Sequence, residues 1–252
     1  MPYCERTLRH YIDEIALENN LPEALALMVQ VICGLEYARE RGLKAHQDLK
    51  PENVLLQDLT EHFTLGDDYP FHWRAKLADF GLANGYLELK VPWGSRPYLA
   101  PEQYETNADL SQVDIFACGV MLHELVTGRH PIGEVTSKVW PNPAEKSKKW
   151  KHKEIWKKWA RSNDKLLAHA SAVLRAVHDL VVACLSTRPD ERPSLESFKR
   201  LMLHALKEIN PGAHEQLLLL LVYYQCTAIY SETLADTDTA RYQQEYIDGL
   251  TQ

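Results

Sequence analysis

His46-Gln47-Asp48-Leu49-Lys50-Pro51-Glu52-Asn53 is the stretch on which the reading of this chain turns. Within eight residues it sets a carboxylate, an ammonium and a carboxamide, on Asp48, Lys50 and Asn53. An extended loop can turn all three into one cleft. Asp79 stands 26 positions after Asn53, behind a short apolar segment and before Phe80-Gly81. The Asp79 carboxylate and the Asn53 amide oxygen are hard oxygen ligands of the kind magnesium takes. A second carboxylate, Asp48, can orient a hydroxyl, and Lys50 can neutralise phosphate charge. Phosphoryl transfer needs these parts, because it runs on positioning and charge stabilisation and requires no protein nucleophile.

Further along lie Asp79-Phe80-Gly81, Ala100-Pro101-Glu102 preceded by Gly94-Ser95-Arg96-Pro97-Tyr98, Asp114 at the head of an apolar helix, and Arg192 in Arg188-Pro189-Asp190-Glu191-Arg192-Pro193. With the opening stretch these make five motifs in order, and chance agreement of all five is negligible. The set resembles the eukaryotic-type Ser/Thr protein kinase family, whose signatures include H-R-D-L-x-x-x-N, D-F-G and A-P-E. The resemblance implies that Asp48 accepts or orients the substrate hydroxyl proton. It implies that Lys50 contacts the γ-phosphate of ATP and that Asn53 and Asp79 hold Mg2+. Leu55 would form the floor under adenine. Glu102 and Arg192 would pair beneath the site, and Asp114 would hold the catalytic-loop backbone. His46 is expected to pack and is assigned no chemistry.

The family's Gly-rich loop, strand lysine and partner glutamate are not found in the sequence. Met1 to Leu8 resembles the hinge between the two lobes of a kinase, which would hold adenine through backbone groups of Tyr3 and Cys4. The expected fold is therefore mainly α, a kinase C-lobe with a few short strands around the catalytic loop. It would span residues 1–209, with a helical extension over 210–252. Two explanations are open. Met1 is internal to a longer kinase, or the chain is a one-lobed, non-catalytic kinase-like (pseudokinase) interaction module. The intact set of Asp48, Lys50, Asn53 and Asp79 favours the enzyme. Without the other lobe, ATP would lose its roof and a lysine, so the isolated chain should transfer little phosphate.

Composition adds bounds. The 252 residues suffice for a core without disulfides, and 45% apolar with 25% charged residues is ordinary for a folded protein. Net charge is −7, which gives no strong nucleic-acid signal. Cys4, Cys33, Cys118, Cys184 and Cys226 are widely spaced, odd in number and without C-x-x-C, which fits reduced thiols and a cytoplasmic location. Core packing is the expected role of Cys33, Cys118 and Cys184. The apolar run Leu217–Tyr224 is too short to span a bilayer and reads as a buried helix.

Helical spacing predicts helices from Thr7, as cap, toward Leu17, from Pro22 to Arg41, from Ser111 to Val126, from Leu166 to Leu185, from Pro193 to Ile209 with Ser194 as cap, and from Ala213 to Tyr230. Pro211-Gly212 reads as a separator before the last of these. Gln57 to Arg74 fits a hairpin or a loop, and Ala75 to Leu77 a short strand. Neither residues 57–74, longer than the family's usual connection, nor 210–252 carry an assigned chemistry.

Gln47 stands where the family motif has Arg, which in the family pairs with an activation-loop phosphate. Leu82 to Trp93 holds no Ser or Thr, and Tyr86 is its one phosphorylatable residue. Both departures predict that loop phosphorylation is not the switch. Lys138 to Lys165 carries ten basic residues, three acids, and Trp140, Trp150, Trp156 and Trp159. One reading is an amphipathic helix with the tryptophans inward and the lysines solvated. The other is a docking face for an acidic substrate, partner or nucleic acid. The remaining expected partner is the protein substrate.

Overall fold

The computed structural model describes residues 4, 6–14, 20–60, 72–82, 94–105, 108–133, 140, 149–162 and 172–233. In chain order the described elements are β1 (Arg6–Thr7), α1 (Leu8–Glu14), α2 (Leu21–Glu40), β2 (Val54–Asp58), β3 (Trp73–Leu77), α3 (Val113–Thr127), α4 (Lys149–Ser162), α5 (Ala172–Cys184), α6 (Leu195–Ile209) and α7 (Pro211–Thr233). The fold is mainly α with one small antiparallel sheet, ordered β1-β2-β3. The chain divides into two units, Met1–Ala213 and His214–Gln252.

α2 is the axle of the first unit. Asn20 caps it by accepting from the Glu23 N–H at 3.3 Å. Pro22 sits in the first turn, where a missing N–H costs no hydrogen bond. Gly42, at φ +92°, follows its end. The helix is long and apolar enough to cross a membrane by length and composition alone. Its residues from Ala24 to Val29 are instead enclosed by protein, and α6, β3 and α3 pack on it.

Side chains of α2 stitch it to β3. Gln30 donates to the Trp73 carbonyl at 3.2 Å and accepts from the Ala75 N–H at 2.9 Å. Buried Glu23 accepts from the Tyr11 hydroxyl at 3.0 Å and the His72 N–H at 2.9 Å. Burial pushes the Glu23 carboxyl up, and those donors oppose the rise.

β2 pairs with β3 in the antiparallel register Leu56 to Ala75, and residues 61–71 between them lie outside the described residues. β3 starts at Trp73, two residues before expectation. Thr7 does not make the expected cap. It is paired to Leu55 in β1, and its N–H and hydroxyl both approach His10 Nδ1, at 3.2 and 3.0 Å. α1 is described to Glu14, buries Leu8, Tyr11 and Ile12, and residues 15–19 lie outside the description.

α3 is apolar nearly all round and buried accordingly. A Cβ at Gly119 would lie 2.5 Å from Cys184 Cβ, so glycine there lets α5 approach the helix backbone. Gly128 closes α3 in the left-handed conformation at φ +68°. Ser194 caps α6 by accepting from the Ser197 N–H at 3.1 Å. Cys118 and Cys184 are buried, whereas Cys33 is half-buried, and none of these three forms a disulfide.

Two expectations fail at the C-terminal end. Pro211-Gly212 does not separate helices. Both residues form the first turn of α7, which Asn210 caps by accepting from the Ala213 N–H at 3.0 Å. The break falls at Asn210, whose extended backbone ends α6. The apolar run of α7 is helical but not buried throughout, since Leu218, Leu219 and Val222 are exposed.

Candidate functional site

The segment His46–Asn53 is pinned at its start by α3. Asp114, in the first turn of that helix, accepts the N–H groups of His46 and Gln47. Burial pushes its carboxyl up, and the two backbone donors hold it down. Gln47 sits at φ +70°, a conformation rare for a residue with a Cβ, so these bonds hold a strained turn. That turn redirects the chain and delivers Asp48 to the cleft.

Asp48 is the hub. Its Oδ1 accepts the Ser95 N–H at 2.7 Å. Its Oδ2 faces Lys50 Nζ at 3.0 Å and Asn53 Nδ2 at 3.2 Å. Asn53 Nδ2 also donates to the Asp48 carbonyl at 2.8 Å, and Lys50 to Ser95 Oγ at 2.8 Å. The Asp48 side chain keeps 11% exposure, so the carboxylate is braced yet open to an incoming group. Gly94 permits this approach. At φ +130°, a Cβ there would lie 2.7 Å from the Gln47 carbonyl oxygen.

Asp79 is reached from β3. The Ala78 N–H donates to the Asn53 carbonyl at 2.9 Å, which brings the end of that strand beside Asn53. Asp79 is exposed and left-handed at φ +59°. His46 is fully buried, bonds the Ala78 carbonyl through Nε2 at 3.0 Å, and lies 4.9 Å from the Phe80 ring. Phe80 itself is 44% exposed, at the edge of an open groove of about 550 Å³ that Tyr37, Leu43 and Leu77 help line.

Beneath the site, Arg192 forks onto Glu102, Nη1 to Oε1 at 2.5 Å and Nη2 to Oε2 at 2.8 Å. The guanidinium also donates to the Ser186 and Gln112 carbonyls and lies over Phe116, so the buried cation is fully partnered. Of the residues expected at the adenine, Leu55 and Cys4 are half-buried and Tyr3 lies outside the described residues. Lys76, cross-strand from Leu55, has its ammonium pushed down by burial and by Arg74.

One cluster escaped the sequence. Arg9 of α1 donates to the Tyr98 hydroxyl at 2.5 Å, to Glu124 Oε1 at 3.0 Å and to Glu52 Oε1 at 3.3 Å. Tyr98 donates to Glu124 Oε2 at 2.9 Å. These residues line a cleft of about 310 Å³ with His130. Burial pushes the Glu124 carboxyl up, against the pull of Arg9 and the Tyr98 hydroxyl. The network ties α1 to the turn Arg96–Tyr98 just after Ser95. The signal available in the sequence was a second acid, Glu124, in the last turns of a mostly apolar helix.

α4 packs on the turn Pro101–Tyr104 through His152, stacked on Tyr104 at 4.2 Å. Trp140, Trp156 and Trp159 are buried as expected, but Trp150 faces solvent at 64% exposure. Apart from Trp140, residues 134–148 and 163–171 of this region lie outside the description.

The protein kinase domain family matches residues 1–204. Serine/threonine-protein kinase PkaA of Streptomyces coelicolor is 30% identical over 184 residues, 71% of this chain and 29% of that protein. The SNF1-related protein kinase catalytic subunit alpha KIN12 of Arabidopsis thaliana is 37% identical over 131 residues, 50% of this chain and 23% of its own length. Serine/threonine-protein kinase dkf-1 of Caenorhabditis elegans is 35% identical over 111 residues, 43% of this chain and 14% of its own length. The chain thus spans less than a third of each of these relatives.

Proposed function

The chain belongs to the eukaryotic-type Ser/Thr protein kinase family, and from that premise we propose that it is a catalytic C-terminal lobe, passing the γ-phosphoryl group of ATP to protein Ser and Thr hydroxyls once an N-terminal lobe completes it. The observation that carries this reading is the Asp48 carboxylate, braced by Ser95, Lys50 and Asn53 and still open to the cleft.

In this reading Asp48 takes the proton of the incoming hydroxyl and aims its oxygen. Lys50, anchored on Ser95 Oγ, neutralises charge on the phosphoryl group as it moves. Asn53 directs its amide nitrogen at Asp48, which leaves the amide oxygen for Mg2+ beside the Asp79 carboxylate. Two oxygen donors without His or Cys suit that ion. Among the described residues no group of three or more His, Cys, Asp or Glu could hold a metal alone, so the nucleotide's phosphates would complete its shell. Bound Mg2+ would offset phosphate charge. Adenine would rest on Leu55 against the backbone of Tyr3 and Cys4. Glu102–Arg192 and Asp114 support the site without touching substrate. A cytoplasmic location belongs to the same proposal and rests on the scattered thiols of Cys33, Cys118 and Cys184, which form no disulfide.

The test is transfer of labelled γ-phosphate. The 252-residue chain alone is expected to transfer almost none, and the chain joined to a kinase N-terminal lobe is expected to phosphorylate Ser or Thr in a protein. Asp48→Asn in the joined protein should lower the rate on the order of 10²- to 10⁴-fold. A joined, folded protein that binds Mg-ATP but transfers nothing would instead establish the non-catalytic interaction module.

A further inference from the structure

α4 has two chemically opposite sides. The inner side is set by His152, Trp156 and Trp159, buried at i, i+4 and i+7. Trp156 meets Phe116 edge-on at 4.8 Å, and Trp159 meets His123 at 6.0 Å. With the Tyr104–His152 stack, these contacts fix the rotation of the helix and so fix its outer side.

On that outer side stands Trp150, a large apolar ring left in water. Trp150, Lys153, Lys157 and Arg161 follow one another at steps of three and four, forming a single stripe about 16 Å long. Lys151 and Lys158 are exposed beside it. Glu154 is the one acid in the helix, and Lys157 already pairs with it at 3.0 Å. The chain as a whole carries −7, so α4 gathers positive charge against the sign of the rest of the molecule.

We propose that this face of α4 docks an acidic protein segment, with an apolar side chain against Trp150 and carboxylates along Lys153, Lys157 and Arg161. Charge complementarity sets the sign of the partner, and complementary potentials chiefly govern specificity and capture rate. The single exposed indole supplies the aromatic anchor that interface hot spots favour. A nucleic acid fits less well. Its binders follow the backbone with a basic surface and stack successive bases on several aromatic rings. Here one ring is exposed on the helix. The proposal concerns binding and stands apart from whether the chain transfers phosphate. The stacked Tyr104 joins α4, the helix that would carry the docked segment, to the turn that holds Glu102.

The test uses the 252-residue protein and a fluorescein-labelled 12-residue peptide of Glu and Gly with one central Phe, read by anisotropy. The expected result is saturable binding that weakens with salt. The triple variant Lys153→Glu, Lys157→Glu, Arg161→Glu should lose at least tenfold in affinity. Trp150→Ala, which keeps the charges, should lose severalfold, as should wild-type protein offered a peptide with Ala for Phe. All four side chains are exposed or half-buried, so unchanged circular dichroism and melting temperature certify the variants. Equal binding by the charge-reversed protein, or no binding of the acidic peptide by wild type, overturns the proposal. Tighter binding of a 12-nucleotide single strand than of the peptide overturns it as well, in favour of nucleic acid.

Discussion

Asp114 receives the His46 backbone N–H on both carboxylate oxygens, at 3.1 and 2.9 Å, across 68 residues of sequence. The same carboxylate takes the Gln47 N–H at 3.1 Å. A buried acid that accepts only from backbone donors is tied to the shape of the loop. Asp114→Asn replaces one acceptor atom with an N–H2 group facing N–H donors. The expected loss is about 1–3 kcal/mol, the cost of leaving buried polar groups unpaired. The melting temperature should fall by several degrees, at roughly 2–4 °C per kcal/mol for a chain of this size. Hydrogen exchange at Gln47 and Asp48 should speed up more than exchange in α6.

Glu102 and Arg192 give the second prediction. Each side chain is almost wholly buried, so removing either leaves an uncompensated charge. Glu102→Ala or Arg192→Ala should cost about 3–5 kcal/mol in urea unfolding. Glu102→Gln should cost less, because the amide still accepts one bond. The Arg192 variant should be the worse of the two alanine changes, since the Ser186 and Gln112 carbonyls lose their donor too.

His130 makes stability depend on pH. Burial pushes its imidazole down to about 4. Its Nε2 donates to the Pro97 carbonyl and its Nδ1 accepts the Ile132 N–H, which requires the neutral ring. The unfolded chain binds the proton more readily than the folded one, so stability is full above about pH 6.5 and drains away as pH falls toward 4. His152, pushed down to about 3 by burial, adds to the same slope and carries it lower. For His130 the lost stability is about 3 kcal/mol at one pKa unit per 1.4 kcal/mol. His130→Gln, which keeps a donor and an acceptor, should flatten the acid limb of chemical unfolding measured from pH 7 to 4.5. An unchanged slope would contradict this account.

Gln47 governs the fourth prediction. Its neutral side chain cannot pair with a phosphate as an arginine does. The loop base is instead seated by Gly94 against the Gln47 carbonyl and by the Ser95 N–H on Asp48. Phosphosite mapping of the active protein should return no stimulatory site between Leu82 and Trp93. A phosphate at Tyr86 that raises activity would refute it.

The catalytic loop was legible because its chemistry is local. Asp48, Lys50 and Asn53 lie within six residues, and motif order placed Asp79, Glu102, Asp114 and Arg192 around them. Long amphipathic or apolar helices were legible too, with Pro22, Ser194 and Gly128 marking their ends as local chemistry predicts. Pairings across long separations were not. Nothing near Arg9 announces Tyr98 or Glu124, and three dispersed polar residues meet there only because α1, α3 and the Arg96–Tyr98 turn converge. Thr7 misled because the sequence could not show that β1 claims it. Trp150 misled because four tryptophans fit one inward face only if their spacing is helical throughout. Trp156 and Trp159 share a face, whereas Trp150 is turned about a third of a revolution from Trp156.

Gln30 has a consequence beyond holding a helix to a strand. Among the described residues β3 is the last strand of its sheet, and an outermost strand offers free N–H and C=O groups to any passing extended chain. The Gln30 carboxamide mimics a peptide group and fills that vacancy at Trp73 and Ala75. A fourth strand, whether from a ligand or from another copy, would first have to evict a buried side chain from the central helix. Gln30→Leu would remove that guard, and the strand would be open to edge-to-edge polymerisation.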